Sequence, residues 1–433
     1  MPKLPLEGIR VLEITVVWAG PHAGQILADW GAEVIRVEST QFLGTTTRTG
    51  LMRPDRDYFR MFIEMGYGYA GRYPGTRAWD RGSLFNTHAR NKTSMTVDVT
   101  REEGVEIFKD LVAQSDVFIE NNMPDTMKKL GLGYAELKKE NPGLIMVRMP
   151  AFGLDGKYHR YRSWGQHVEG VAGHSWLKGY RDTDISQRPE SNQSDAGAAY
   201  SAVLAVLMAI RHRNRTGEGQ LIEIPLCENF IPYMAAPIMD YTMNGRVRSS
   251  LGNGHPSMAP QGVYRCKGHD SWVAISVGND GEWEALCRVL GDLEWARDKR
   301  FRTVLGRWNN QEEIDRHLSE WTRTLTKYEV MAWLQGVGVA AAPVLDEGDV
   351  HADPHVKARG FFQKIADPEV GTHDHVGFMW KMARTPNAIR KPPAHLGYGN
   401  RYVYRELLGY EDERCRRLEE EGHIGTEPAP HIP

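Results

Sequence analysis

The first strand-length apolar run is Ile9 to Thr15. A glycine-bearing turn, Val-Val-Trp-Ala-Gly-Pro, separates it from His22 to Trp30, whose apolar spacing is helical. Glu33 to Glu38 follows as a second strand. Strand, short turn, helix and strand within about 30 residues predict a βαβ unit, and with it a parallel sheet and a right-handed crossover. From Phe42 to Arg90 the period is weak and Gly, Arg, Tyr and Thr dominate, which predicts an excursion over the sheet with room for short helices. Regular pattern returns in a strand at Thr93 to Val99, a helix at Glu102 to Ser115 and a strand at Asp116 to Glu120. A helix at Tyr134 to Glu140 and a strand at Leu144 to Met149 complete the next step. The predicted fold class is α/β, with a doubly wound, Rossmann-like parallel sheet.

Farther along, Asp195 to Arg213 carries Val203, Leu204, Val206, Leu207 and Ile210 at helical spacing, and stops in basic residues and Thr-Gly-Glu-Gly, a helix C-terminal signal. A strand at Leu221 to Leu226 precedes a Gly/Pro-rich connector, Leu251 to Gln261. Val263 to Cys266 and Trp272 to Val277 flank a Lys-Gly-His-Asp turn as a β-hairpin. Helices at Gly281 to Leu290, Asn310 to Trp321 and Lys327 to Gly336, then a strand at Ala341 to Leu345, complete a smaller α+β domain. The expected division is a large domain over 1–225, a linker over 226–261, the small domain over 262–345, and 346–433 returning to the large domain. A charged helix, Val403 to Glu421, is expected near the end of that last segment.

Composition narrows the chemistry. In the 433-residue chain, 53 Lys and Arg stand against 56 Asp and Glu, so a net charge of -3 gives no broad attraction to nucleic acid or anionic membrane. The first ten residues lack an apolar h-region, and no uninterrupted apolar run reaches the roughly 18 residues that span a bilayer. The expectation is a cytoplasmic protein with neither a nucleic-acid nor a membrane partner. Cys227, Cys266, Cys287 and Cys415 form no C-x-x-C pair and are expected to be reduced structural thiols. There is no H-E-x-x-H, and the close pair His373 and His375 sits in a turn-like Gly-Thr-His-Asp-His, so no metal is expected.

Two places could carry chemistry. The first βα turn, Ala19-Gly20-Pro21-His22-Ala23-Gly24, offers helix N-terminal N–H groups to a polar or anionic ligand. It lacks G-x-G-x-x-G, and Pro21 removes a donor, so the dinucleotide fingerprint is absent even though Glu38 lies where a ribose-binding acid would. The second is Asp195, at the mouth of a long helix with no other acid. An N-cap aspartate needs no catalytic role. The same position also suits a nucleophilic carboxylate kept ionised by the helix dipole, with small Ala196 and Gly197 leaving room for an acyl group.

Four segments taken together resemble the class III CoA-transferases, the formyl-CoA transferase and carnitine CoA-transferase type. They are Leu6 to Ser39, Asn91 to Gly133, Ser194 to Glu228, and the tail PPAHLGYGN. The resemblance implies that Asp195 is the nucleophile. It also implies that Val17, Trp18, Ala19, Ser39, Val97, Asn121, Lys129 and Leu130 contact coenzyme A. Arg90 and Lys92 are further candidate partners for its phosphates, with a solvated surface charge as the alternative for each. By the same resemblance no cofactor is tightly bound, CoA or acyl-CoA being a substrate exchanged with a free carboxylic acid. The resemblance further implies that two chains interlock as a dimer, either a homodimer or a heterodimer with a paralogous subunit.

The departures are specific. Trp18 replaces a glutamine of formyl-CoA transferase, its tyrosine-glutamate pair falls on Trp164-Gly165, and its glycine-rich loop becomes Gly252-Asn253-Gly254-His255-Pro256. Formyl and oxalyl transfer are therefore not expected. A larger acyl group is, such as a succinyl donor with an aromatic or branched acceptor. Trp164 and His167 are expected near substrate, and Gly252, Asn253, Gly254 and His255 in a shielding loop. Two alternatives stay open: an acyl-CoA racemase or isomerase of the same fold, whose His-Asp pair would fall at Trp164-Gly165 with His167 and Glu169 out of register, and a non-catalytic CoA-binding subunit.

Overall fold

The computed structural model describes residues 3–43, 48–55, 57–58, 60, 68–188 and 191–432. Part of the 42–90 excursion lies outside these residues. The chain forms two compact units: Met1–Gly173, Glu190–Ala236 and Ala358–Pro433 make the first, and His174–Pro189 with Pro237–Lys357 the second.

The first unit is built on strands β1 (Arg10–Ile14), β2 (Glu33–Glu38), β3 (Lys92–Thr96), β4 (Val117–Glu120), β5 (Ile145–Arg148) and β6 (Leu221–Glu223). They line up as β3-β2-β1-β4-β5-β6, and every neighbouring pair is parallel. That is the doubly wound Rossmann order, with the topological switch between β1 and β4. The strands are covered on both faces, and neighbours pointing to opposite faces, Val11 and Leu12, Val34 and Ile35, Val117 and Phe118, are all buried. Four helices matter for the site: α1 (Ala19–Asp29), α2 (Glu102–Val112), α3 (Gly165–Val171) and α4 (Gln193–Thr216). On one face α1 and α4 share a core through Ala23, Ile26, Ala198, Ala202 and Val206; on the other α2 packs Ile107, Phe108 and Leu111. By length and composition α4 could cross a bilayer, yet half of that stretch is buried within the protein. It ends where expected, at Gly217 in the left-handed conformation (φ 79°).

The C-terminal segment belongs to the first unit, and the tail motif explains why. Asn400 accepts from the Thr96 N–H at 2.8 Å, Gly399 donates to the Ser94 carbonyl at 2.8 Å, and a Cβ on Gly399 would lie 2.2 Å from Thr93. The glycines of LGYGN thus let the tail lie against edge strand β3. The single charged helix expected at Val403 to Glu421 is instead a π-helical turn, Tyr402–Leu407, and a helix, Asp412–Glu420, separated at Gly409 with φ 72°.

In the second unit β7 (Gln261–Arg265), β8 (Trp272–Ser276) and β9 (Ala340–Val344) form an antiparallel sheet covered by Asp280–Val289, Gln311–Thr322 and Lys327–Gln335. Its limits differ from the expected 262–345. It begins at Pro237 and also includes His174–Pro189. That segment has no clear period, but Gly179 accepts a hydrogen bond from Ser250 and Tyr180 accepts one from Asn253 at 2.9 Å. His373 and His375 lie in a strand, β11 (Gly371–His375), paired with β10 (Gln363–Asp367), rather than in a turn.

Beneath the sheet's β1–β3 side runs a chain of buried ion pairs. Lys92 and Arg36 meet Glu13, Arg36 and Arg48 meet Glu38, and Arg48 meets Asp80, all at 2.6–3.1 Å. Burial alone would raise the Glu38 carboxyl, but Arg48 and Arg36 outweigh it and pull it down to about 2. Removing one partner strands buried charge, so Glu38→Ala is expected to lower stability by about 3–5 kcal/mol in urea unfolding at neutral pH.

Candidate active site

The parallel sheet delivers most of the expected ligand contacts to one place. Val17, Trp18 and Ala19 follow the carboxyl end of β1, Ser39 that of β2, Val97 that of β3 and Asn121 that of β4. Ligands of open α/β sheets bind at such ends, beside the switch point. Lys129 and Leu130 close the helix Pro124–Lys129 after β4, with Lys129 exposed. Val97 has joined the core with its side chain buried.

Arg90 and Lys92 do not join this group. They sit at the opposite end of β3, and both are buried in ion pairs: Arg90 with Asp29 at 2.8 Å, Lys92 with Glu13 at 2.7 Å. Neither is a solvated surface charge or an open phosphate ligand. Lys92 instead donates to the Pro21 carbonyl at 2.7 Å, tying the first turn of α1 to the charge network.

Asp195 is the third residue of α4, not its cap; Asn192 holds the cap position without a side-chain hydrogen bond. The carboxylate is wedged. The Ala19 N–H at the start of α1 faces it and favours its charge, and on another side lies Gly165, the first residue of α3. A Cβ on Gly165 would stand 2.2 Å from Asp195 Oδ2. Glu169, one turn along α3, accepts from the Ser194 N–H at 3.3 Å and from the Ser191 hydroxyl. Burial, and then the negative charge of Glu169, push the Asp195 carboxyl up from 3.8 to about 6 against the Ala19 N–H. The helix dipole was expected to keep this group acidic; burial beside a second carboxylate reverses the direction, yet leaves it ionised at neutral pH.

Aromatic rings surround the turn. Trp18 packs on His88 at 5.7 Å, His88 on His22 at 5.5 Å, and His22 on Tyr200 of α4 at 5.6 Å. Burial lowers both histidines, so they serve here as neutral rings. Gly197 does not open space for an acyl group: it is buried, and a Cβ there would lie 3.1 Å from the Tyr233 hydroxyl. Trp164 is exposed ahead of α3, and its N–H donates to His167 Nδ1 at 3.1 Å, which gives His167 a capping role. Where a racemase would carry its His-Asp pair, this chain has Trp164 and the side-chain-free Gly165. Gly252, Asn253, Gly254 and His255 belong to the second unit and are anchored there: Asn253 donates to Tyr180 and the His255 carbonyl accepts from Trp308 at 3.1 Å. The four cysteines are free.

The CoA-transferase family III model matches residues 6–400. The chain belongs to CoA-transferase family III. A succinyl-CoA–D-citramalate CoA-transferase of Chloroflexus aurantiacus is 32% identical over 418 residues, covering 96% of this chain and 98% of that protein. The alpha subunit of a succinyl-CoA–L-malate CoA-transferase from Chloroflexus aurantiacus is 31% identical over 96% of this chain and 92% of its own length. Among solved structures, a CAIB/BAIF family protein from Brucella suis superimposes with a TM-score of 0.79 at 30% identity, covering 94% of this chain and all of that one. As a family III CoA-transferase, this protein is an enzyme of acyl-CoA metabolism whose substrates are CoA thioesters and carboxylic acids.

Sequence reasoning missed the wedge. Gly165 appeared only as a departure from a glutamate, and its value lies in the missing side chain; Glu169 appeared only as out of register. Gly165→Ala would push the carboxylate out of its place, so steady-state assays should show at least about a 100-fold loss of kcat with the fold retained. Asp195 gives a signed pH test. Its folded carboxyl lies above 3.8, so its contribution to stability is present at acid pH and lost as pH rises through about 6. Asp195→Asn should therefore be more stable than the parent at about pH 8, by about 1–2 kcal/mol after discounting partial exposure, with the gain vanishing near pH 4 in thermal denaturation.

Proposed function

We propose that the enzyme moves CoA from succinyl-CoA to a second, short dicarboxylic acid, through covalent intermediates on Asp195. The observation that carries this is the wedged carboxylate itself, ionised at neutral pH, dehydrated on most sides and backed by one N–H donor. The thioester carbonyl carbon is attacked by an Asp195 oxygen; a C–O bond forms, the C–S bond breaks, and CoA leaves as thiolate. The thiolate then attacks the aspartyl carbonyl, expelling succinate and leaving an aspartyl-CoA thioester. The acceptor carboxylate reverses both steps and regenerates Asp195. Bonds and charge balance without ATP, metal or redox partner. The Ala19 N–H is the available donor for oxyanion charge developing on the aspartyl carbonyl, which follows attack by thiolate or acceptor.

The donor and acceptor class are supported by the acids named for the similar enzymes, citramalate and malate. The ring group Trp18, His88, His22 and Tyr200 favours a second reading, in which the acceptor is an aromatic or branched acid stacked against these rings. The exposed apolar stripe of α4, Tyr200, Leu204, Leu207 and Met208, supports a second chain in the assembly, either another copy or a paralogous subunit. A shielding role for the loop Gly252 to His255 fits the need to keep water from the anhydride.

Isotopically labelled succinate should exchange into succinyl-CoA with no acceptor present, since both half-reactions use the same acid. Asp195→Ala should abolish the exchange. With succinyl-CoA as donor, mass spectrometry should then show new CoA thioesters of citramalate or malate; product only from aromatic acids would replace the dicarboxylate reading with the second one.

A further inference from the structure

The turn that presents the Ala19 N–H is held in a conformation its own sequence disfavours. Val17 has φ 59°, a left-handed value that a β-branched residue adopts only when its surroundings impose it. The agent on the page is Asn121. Its Oδ1 accepts from the Val16 N–H at 2.8 Å, and its Nδ2 donates to the Val16 carbonyl at 2.9 Å. Both backbone groups of the residue before the strained one are thereby fixed by a single planar amide. The amide is itself locked: a Cβ on Gly20 would come within 2.9 Å of Asn121 Oδ1 and 2.7 Å of Thr15 Cγ2, so only glycine fits over it. Asn122 extends the grip by donating to the Ile14 carbonyl at 2.9 Å.

We propose that Asn121 is a positioning residue for transfer: it clamps Val16, forces Val17 into the left-handed turn, and so holds the Ala19 N–H against Asp195, rather than supplying affinity for CoA. Both polar atoms of the side chain are committed to the Val16 backbone, which fixes the amide in one orientation. This inference rests on the aspartyl mechanism for its kinetic consequence and on geometry alone for its structural one.

The test is a double-mutant cycle with Asn121→Ala and Val17→Gly. Glycine takes the left-handed conformation freely, so the clamp matters less once Val17 is replaced. In succinate exchange, Asn121→Ala should reduce kcat at least about 30-fold in the parent and less than about 5-fold in the Val17→Gly background. Its Kd for CoA, by calorimetry, should stay within about threefold of the parent. Equal losses in both backgrounds, or a CoA affinity that falls while kcat holds, would overturn the proposal. Should the alanine variant not fold, Asn121→Asp serves, since it keeps the acceptor for the Val16 N–H and loses the donor. Should the parent not exchange succinate, the mechanism is at fault, and hydrogen exchange still decides the clamp. Amides of Val16 to Gly20 should exchange at least about tenfold faster in the Asn121 variant, and an unchanged rate would refute it.

Discussion

Everything in the site depends on a carboxylate that has been given almost no room. Asp195 stands in the first turn of α4, between the N-terminus of α1 and the glycine that starts α3. The two helix starts meet because α1 and α4 share one apolar core on the same face of the sheet. A carboxylate so placed is poorly hydrated, which raises its affinity for a proton and also its readiness to attack a carbonyl carbon. Glu169 sharpens this by adding like charge, while its hydrogen bonds to Ser191 and Ser194 fix the turn that carries Asp195.

The parallel sheet supplies the rest. Its switch between β1 and β4 opens the crevice where Val17 to Ala19 and Asn121 face each other, and its buried ion pairs hold β1, β2 and β3 in register below. Lys92 connects the two levels by bonding Glu13 beneath α1 and the Pro21 carbonyl within it. Instability is thus concentrated at the candidate site: a left-handed valine, a carboxylate raised by burial, and a Trp18 indole N–H that is buried without a hydrogen-bond partner among the described residues.

Much of the fold was legible because apolar runs of strand length and helical spacing alternate over Ile9 to Glu38 and again over Thr93 to Met149, and because Gly217 and the glycines of the tail sit where their backbone demands them. Asp195 stood out through the family pattern, although its place in the turn was misjudged by three positions. Arg90 and Lys92 were misjudged for a different reason: a basic residue at a strand start looks the same in sequence whether it faces water or a buried acid, and Asp29 and Glu13 lie far from them along the chain. The boundary of the second unit was hidden because His174–Pro189 has no period of its own and joins that unit through contacts with the connector Leu251 to Gln261 and its neighbour Ser250. The wedge could not be read at all, since it consists of a side chain that Gly165 lacks.

The most direct test of the central claim is to mix the enzyme with succinyl-CoA, quench with hydroxylamine, and sequence the peptides by mass spectrometry. A hydroxamate at residue 195, formed only with the thioester present and lost in Asp195→Ala, is the predicted result. Turnover of succinyl-CoA with an unmodified aspartate at that position would contradict the account.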